Sequence, residues 1–292
     1  SKSVIATHHH AIFMAMKQQG IGRKIFLTRI IGNLSIHFLR IVDHRSSQNV
    51  DYFIANSNET KRRIEKFYRK DATVIYPPVD FSRGPATRFP PAHSASSGQA
   101  SARNAVYPES DRRIGSPSTP VTPPYYLAGG RIARAKHTDL IIRAFLKNGL
   151  PLKIFGKSFG GYEKEIGDLL KEKGSKIEFL GEVTDEEKDE LMRNAKAFVF
   201  ASQDEDFGIV PVEAMMAGTP VIAHRSGGVL ETVVDGKTGL FFDEFTIESL
   251  NSAIKKFERT KFDSSQIAKH AQKFSRARFE KEIKEFVNAK VR

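Results

Sequence analysis

From residue 125 onward the sequence alternates between two hydrophobic periods. Short apolar runs at 125–128, 152–155, 177–180, 197–201, 220–223 and 239–242 are separated by stretches of helical spacing at 138–146, 161–173, 185–194, 209–217, 230–234, 247–257 and 264–273. A last helix is expected over 276–291. Strands this short and this apolar are buried on both faces, so helices must cover the sheet above and below. The pattern therefore predicts an α/β fold with a parallel, doubly wound sheet. Ligands of such sheets sit outside the carboxyl ends of the strands, where glycine turns and helix N-termini gather.

The first eighty residues repeat this rhythm but enter it partway. A short strand is expected over 3–7, a second over 51–57 and a third over 73–76, stopped by Pro77-Pro78. Ser57 is placed to cap a helix running to about Tyr68, with Glu59 and Thr60 in its first turn. Between the first two strands, residues 11–42 form a basic amphipathic stretch. Ile25, Phe26, Ile30, Leu34, Phe38 and Ile41 recur at helical spacing, with Arg23, Lys24, Arg29 and Arg40 among them. A core-facing helix is the favoured reading, and a peripheral contact with anionic lipid the rival. A βαβαβ series that begins partway implies further strands before Ser1.

Residues 81–124 break the pattern. They hold 8 of the 13 prolines and 8 serines, with few aliphatic side chains. Such a segment buries too little apolar surface to offset its ordering entropy, so a flexible linker is expected. The division is then 1–80, the remainder of one Rossmann-like domain; 81–124, the linker; 125–275, a second Rossmann-like domain; and 276–292, a helix returning toward the first.

Charge and composition remove several classes of function. The net charge of +12 is concentrated early: +7 over 1–80, +3 over 81–124 and +2 over 125–292. That bias fits an anionic surface or a polyanion, but the most basic stretches lack interleaved stacking aromatics, so no nucleic acid is expected. The absence of cysteine excludes disulfides, thiolate metal sites and cysteine nucleophiles. No run of 18 apolar residues occurs, and SKSVIATHHHAIF lacks the layout of a signal peptide. The expected compartment is the cytoplasm, with possible contact at the inner face of the cell membrane.

Three turns follow the strands of the second domain. The first is Gly129-Gly130-Arg131-Ile132-Ala133-Arg134-Ala135-Lys136. Its glycines admit close backbone approach, and Arg131 and Lys136 suit a diphosphate clamp as well as they suit a solvated basic loop. The second is Glu205-Asp206-Phe207-Gly208-Ile209-Val210-Pro211-Val212-Glu213. Gly208 opens a helix whose first amides are free for a phosphate or for sugar oxygens. Glu205 and Glu213 flank it. Carboxylates beside a phosphate repel it unless they accept hydrogen bonds from hydroxyls, as a ribose or hexose would supply. The rival reading for Glu213 is stabilisation of the helix dipole, worth about 0.3–1 kcal/mol. The third, Ser226-Gly227-Gly228-Val229-Leu230-Glu231, reads as a packing turn.

EDFGIVPVEAMMAGTPVIA, preceded by GGRIARAKHTDLIIRAF and FLGEVTDEE, resembles the GT-B glycosyltransferases of family GT4. DHRSSQNVDYFIANS and YPPVD extend the likeness into the first domain. The resemblance implies two Rossmann-like domains, the N-terminal one incomplete here, and a retaining hexosyltransfer from a nucleotide-sugar. Arg131 and Lys136 match the cations that bind the donor diphosphate, next to Gly130. Glu205 matches the acid near the donor sugar, and Glu213 the acid that holds the ribose. Phe207, Gly208 and Ile209 match the turn whose amides meet sugar and phosphate. Val183 matches the backbone position on which the base rests. His9, within Thr7-His8-His9, matches a strand-end histidine near the sugar; a metal site is the rival reading for the histidine run, although neighbours on a strand end alternate faces.

The implied function is transfer of a hexose, mannose from GDP-mannose first, to a glycan or lipid-linked acceptor in cell-surface polysaccharide assembly. A UDP-hexose donor and a non-catalytic nucleotide-sugar-binding remnant are the alternatives. The nucleotide-sugar is a co-substrate, and no metal or other cofactor is expected. The family carries further strands and a Gly-rich acceptor loop before the point where this sequence begins, and the linker is longer than usual.

Overall fold

The structure is a computed structural model that describes residues 4–6, 26–81, 124–158, 160–171 and 174–290. Its first sheet is β1 (Val4–Ala6), β2 (Tyr52–Ala55) and β3 (Ala72–Val74), all parallel and in sequential order. Helix α1 (Phe26–Gln48) connects β1 to β2, and α2 (Asn58–Tyr68) connects β2 to β3. Ser57 caps α2 as its position predicts: its Oγ accepts from Thr60 N at 3.0 Å.

The structure corrects the reading of the amphipathic stretch. Residues 11–25 lie outside the described residues, and the helix runs six residues past Val42. In the predicted stripe, Phe38 is 66% and Ile41 41% exposed, so these two do not face a core. The helix is held instead by its C-terminal turns. Tyr68 OH donates to Asp43 at 2.7 Å, the His44 ring lies 3.2 Å from Phe67 O, and Ser47 and Val50 are buried.

The second sheet has six parallel strands: β4 (Tyr126–Gly129), β5 (Leu152–Phe155), β6 (Ile177–Gly181), β7 (Phe198–Phe200), β8 (Val221–His224) and β9 (Gly239–Phe242). Their spatial order is β6-β5-β4-β7-β8-β9. Counted within the domain this is 3-2-1-4-5-6, the doubly wound order with its switch point between β4 and β7. The helices are α3 (Thr138–Asn148), α4 (Glu163–Leu170), α5 (Asp185–Asn194), α6 (Ile209–Met216), α7 (Val229–Thr232), α8 (Ile247–Glu258), α9 (Ser264–Ala271) and α10 (Arg276–Lys290).

Successive strand residues point to opposite faces, and two buried layers result. Tyr126, Leu152 and Ile154 pack with Ile142 and Phe145 of α3 and Leu250 and Ile254 of α8. Leu127 and Phe198 join Val212 and Met215 of α6 and Ile267 of α9 on the other face. Helix α10 leaves this domain and packs on the first sheet, where Phe286 meets Ile54 and Ile75 and stands edge-on to Tyr52. Arg278 of α10 donates to Tyr76 O at 2.9 Å. Among the described residues no helix is long and apolar enough to cross a membrane.

Candidate functional site

A cavity of about 330 Å³ opens where β4 and β7 diverge. Its floor is Ala128, Gly129 and the end of β7. Its walls carry Arg131, Lys136, Glu205, Asp206, Phe207, Gly208 and Ile209, while Asn56 and Pro77 reach it from the first domain. The switch-point rule thus selects the first two of the three turns that the sequence singled out.

Backbone geometry explains how each group arrives. After β4 the chain passes through Gly130 at φ 104°, a region where a side chain would be strained. A single 3₁₀ turn, Arg134–Lys136, then swings Lys136 back toward β7. Its ammonium pairs with the Glu205 carboxylate and lies 3.3 Å from Ser202 Oγ, which donates to Glu205 Oε2 at 3.0 Å. The Glu205 charge is therefore met by a cation and a hydroxyl before any ligand enters. Both ionic side chains are about a quarter exposed, at 26% each, so a ligand has access to them. Ser202, buried and two residues past β7, is a participant that the sequence reading missed.

Gly208 adopts φ 86° and begins α6 without any side-chain cap. The first amides of α6 thus belong to Ile209 and Val210, both on the cavity wall. The aromatic ring of Phe207 turns inward instead. It packs against Tyr76 and Phe274, with ring centroids 5.7 and 5.5 Å away, and anchors the turn at the domain junction.

Glu213 and Val183 are not among the residues that line the cavity. The Glu213 carboxylate receives Lys188 of α5 at 2.9 Å, and Lys188 also reaches Asp185 at 3.0 Å. Burial raises the Glu213 pKa above the usual carboxylate range, and the Lys188 ammonium offsets only part of that. Val183 is half-buried against the second core layer, just before the Thr184 cap of α5. His9 lies outside the described residues.

The turn read as packing does pack, and its partner is the site itself. Gly228 N donates to Glu205 O at 2.7 Å, and Asp204 N donates to Ser226 Oγ at 3.2 Å. A Cβ on Gly228 would run into the Asp206 carbonyl oxygen, so only glycine allows this approach. Across the junction, Arg63 of α2 pairs with Asp206 and donates to Asp204 O at 3.1 Å. Glu231 of α7 accepts from Asn58 N at 2.9 Å, Asn58 Nδ2 at 2.7 Å, Glu59 N at 3.1 Å and Tyr76 OH at 3.1 Å.

Residues 110–277, more than half of the chain, match the model of the family described as glycosyl transferases group 1. The chain belongs to that family. The alpha-1,3/1,6-mannosyltransferase ALG2 of Dictyostelium discoideum is 38% identical over 106 residues, covering 36% of this chain and 25% of that protein. The mannosylfructose-phosphate synthase of Agrobacterium fabrum is 34% identical over 143 residues, covering 44% and 32%. The ALG2 mannosyltransferase of Rhizomucor pusillus is 25% identical over 271 residues, covering 78% and 54%. The chain thus spans a quarter to about half the length of these curated relatives. Among solved structures, the sucrose-phosphate synthase of Thermosynechococcus elongatus is similar, with TM-score 0.73 and 19% identity, over 98% of this chain and 67% of that one. Anabaena Alr3699/HepE in complex with UDP and glucose is similar with TM-score 0.63 and 20% identity, over 86% and 66%. This group 1 glycosyltransferase chain accordingly has the GT-B fold, and the match to the family begins inside the segment read as a linker.

Proposed function

We propose that this chain binds a nucleotide-sugar at the β4–β7 switch point and transfers its hexose, with retention, to a glycan or lipid-linked acceptor. The observation that carries the reading is the joint placement of Arg131, Lys136, Glu205 and the uncapped start of α6 around one cavity. The diphosphate lies on the two cations and the α6 amides, and the sugar hydroxyls reach Glu205. The base and ribose extend over Val183 and Glu213. The anomeric bond breaks toward the diphosphate, whose growing charge Arg131 and Lys136 stabilise; losing one such donor typically costs about 3–4 kcal/mol. In this reading the cations take the place of a metal, and no side chain serves as a covalent nucleophile. The acceptor attacks from the face the leaving group vacates and gives its proton to the leaving phosphate.

Mannose from GDP-mannose is the proposed donor, supported by mannosyltransferases among the relatives. A UDP-hexose is the second reading, favoured by the likeness to a structure holding UDP and glucose. A peripheral contact with anionic lipid completes the proposal. Phe38, Leu39, Ile41 and Val42 stand exposed on α1 beside Arg40 and Arg45, an arrangement that suits a membrane carrying the acceptor. Calorimetry of GDP-mannose, UDP-glucose and an ADP-sugar against this chain tests the donor. Binding of the GDP-sugar in preference to the others supports the reading, and binding of none overturns it.

A further inference from the structure

The loop that carries Glu205 is held from both sides. On its own domain, Gly228 N fixes the Glu205 carbonyl and Ser226 Oγ accepts from Asp204 N. From the other domain, the Arg63 guanidinium pairs with Asp206 and donates to Asp204 O. Asp204 sits at φ 50°, in the αL region that aspartate enters more readily than most residues, so the turn is local and the contacts on both sides set where the loop lies. Arg63 is itself fixed. Glu59, one helical turn earlier, accepts from its Nε at 3.2 Å, and the Arg63 side chain is only 19% exposed.

We propose that Arg63 is a positioning residue that sets the Glu205 loop from across the domain junction, so that the donor site is assembled only when the two domains are docked. The inference rests on the function proposed above and adds a residue and a coupling to it. Arg131, Lys136 and the α6 amides all belong to the second domain, so that domain alone holds the diphosphate. The position of Glu205 against the sugar depends in addition on a cation supplied by the first domain. Grip on the nucleotide and alignment of the sugar are thereby separable, and misalignment of a reacting group reduces turnover more than binding.

The test uses this chain and its Arg63→Gln and Arg63→Lys variants. Hydrogen exchange of the amides of 203–208 is measured in the free protein, with β4 as internal reference. Binding of GDP and UDP is measured by calorimetry. Release of sugar from GDP-mannose and UDP-glucose is followed with water as acceptor; the anomeric C–O bond to phosphate breaks and one to water forms. The expected result for Arg63→Gln is exchange at 203–208 faster by about ten-fold, with β4 unchanged. Its turnover falls by roughly ten- to a hundred-fold, while nucleotide affinity stays within about three-fold. Arg63→Lys recovers part of both, since an ammonium can still pair with Asp206 but lacks the fork that also reaches Asp204 O. Unchanged exchange at 203–208, or turnover and nucleotide affinity falling in proportion, overturns the proposal. A parent protein that binds no nucleotide refutes the donor-site reading instead, and the exchange measurement still decides whether Arg63 holds the loop.

Discussion

Replacing Glu231 with glutamine tests how the two domains are joined. The Glu231 carboxylate accepts four hydrogen bonds from the first domain, two of them from backbone amides at the start of α2. Those amides are orphan donors of a helix N-terminus, so an anion is the preferred partner. A hydrogen bond to a charged group contributes about 1.5–3 kcal/mol. Glutamine keeps one acceptor oxygen; placed where Oε2 takes three of the four bonds, it turns its NH₂ toward Glu59 N, so that contact is lost and the other three lose their charge assistance. Taking about 1.5 kcal/mol for the lost bond and about half of that for each of the three weakened ones, then halving the total for water access at the junction, leaves a loss of about 2 kcal/mol. At about 1.4 kcal/mol per ten-fold, the undocking equilibrium shifts roughly thirty-fold. Native-state hydrogen exchange at amides 58–61 reads this shift, with β8 as the reference that should not move. A change below two-fold at those amides would falsify the reading that the Glu231 hydrogen bonds help hold the two domains together.

Four further outcomes are expected. Glu213→Ala weakens GDP or UDP binding even without a sugar, because the carboxylate's proposed partner is the ribose; equal affinity in calorimetry counts against it. The same carboxylate sets a pH dependence. Burial raises its pKa, so as pH falls it gains a proton, and loses its grip, at a higher pH than an ordinary glutamate. The parent's nucleotide affinity should therefore drop on acidification more steeply than that of Glu213→Gln, and parallel curves refute this. Arg131→Ala lowers turnover more than it raises the Michaelis constant, as for an interaction strengthened in the transition state; a pure Michaelis-constant effect contradicts it. Gly228→Ala forces a Cβ onto the Asp206 carbonyl, so the 203–208 loop must move. Its expected signature is faster exchange at 203–208 and reduced turnover, and a variant indistinguishable from the parent sinks the argument.

The sheet of the second domain was legible because its signal is local. Each strand is a short apolar run and each helix carries its own stripe, so element type and a parallel arrangement follow from periodicity. Tyr126 and Leu127 on opposite faces show that both faces are covered. The same logic failed on α1. Periodicity reports that Phe38 and Ile41 share a side, but it does not say what lies against that side, and these two stand in solvent. Within the candidate site, Arg131, Lys136 and Glu205 were readable as charges at the ends of predicted strands. Ser202 was not, since a serine after a strand carries no signal until Lys136 and Glu205 meet beside it. Arg63 and Glu231 were invisible for a different reason. Their partners lie 143 and 173 positions away, and only domain docking makes those pairs.

The most direct measurement of the central claim is a crystal structure of this chain with GDP or UDP bound. The account predicts the diphosphate within hydrogen-bond distance of Arg131, Lys136 and the amides of Ile209 and Val210, with the ribose hydroxyls on Glu213. A nucleotide seated anywhere else, for example in the open groove beside Arg225 and Lys256, would contradict it.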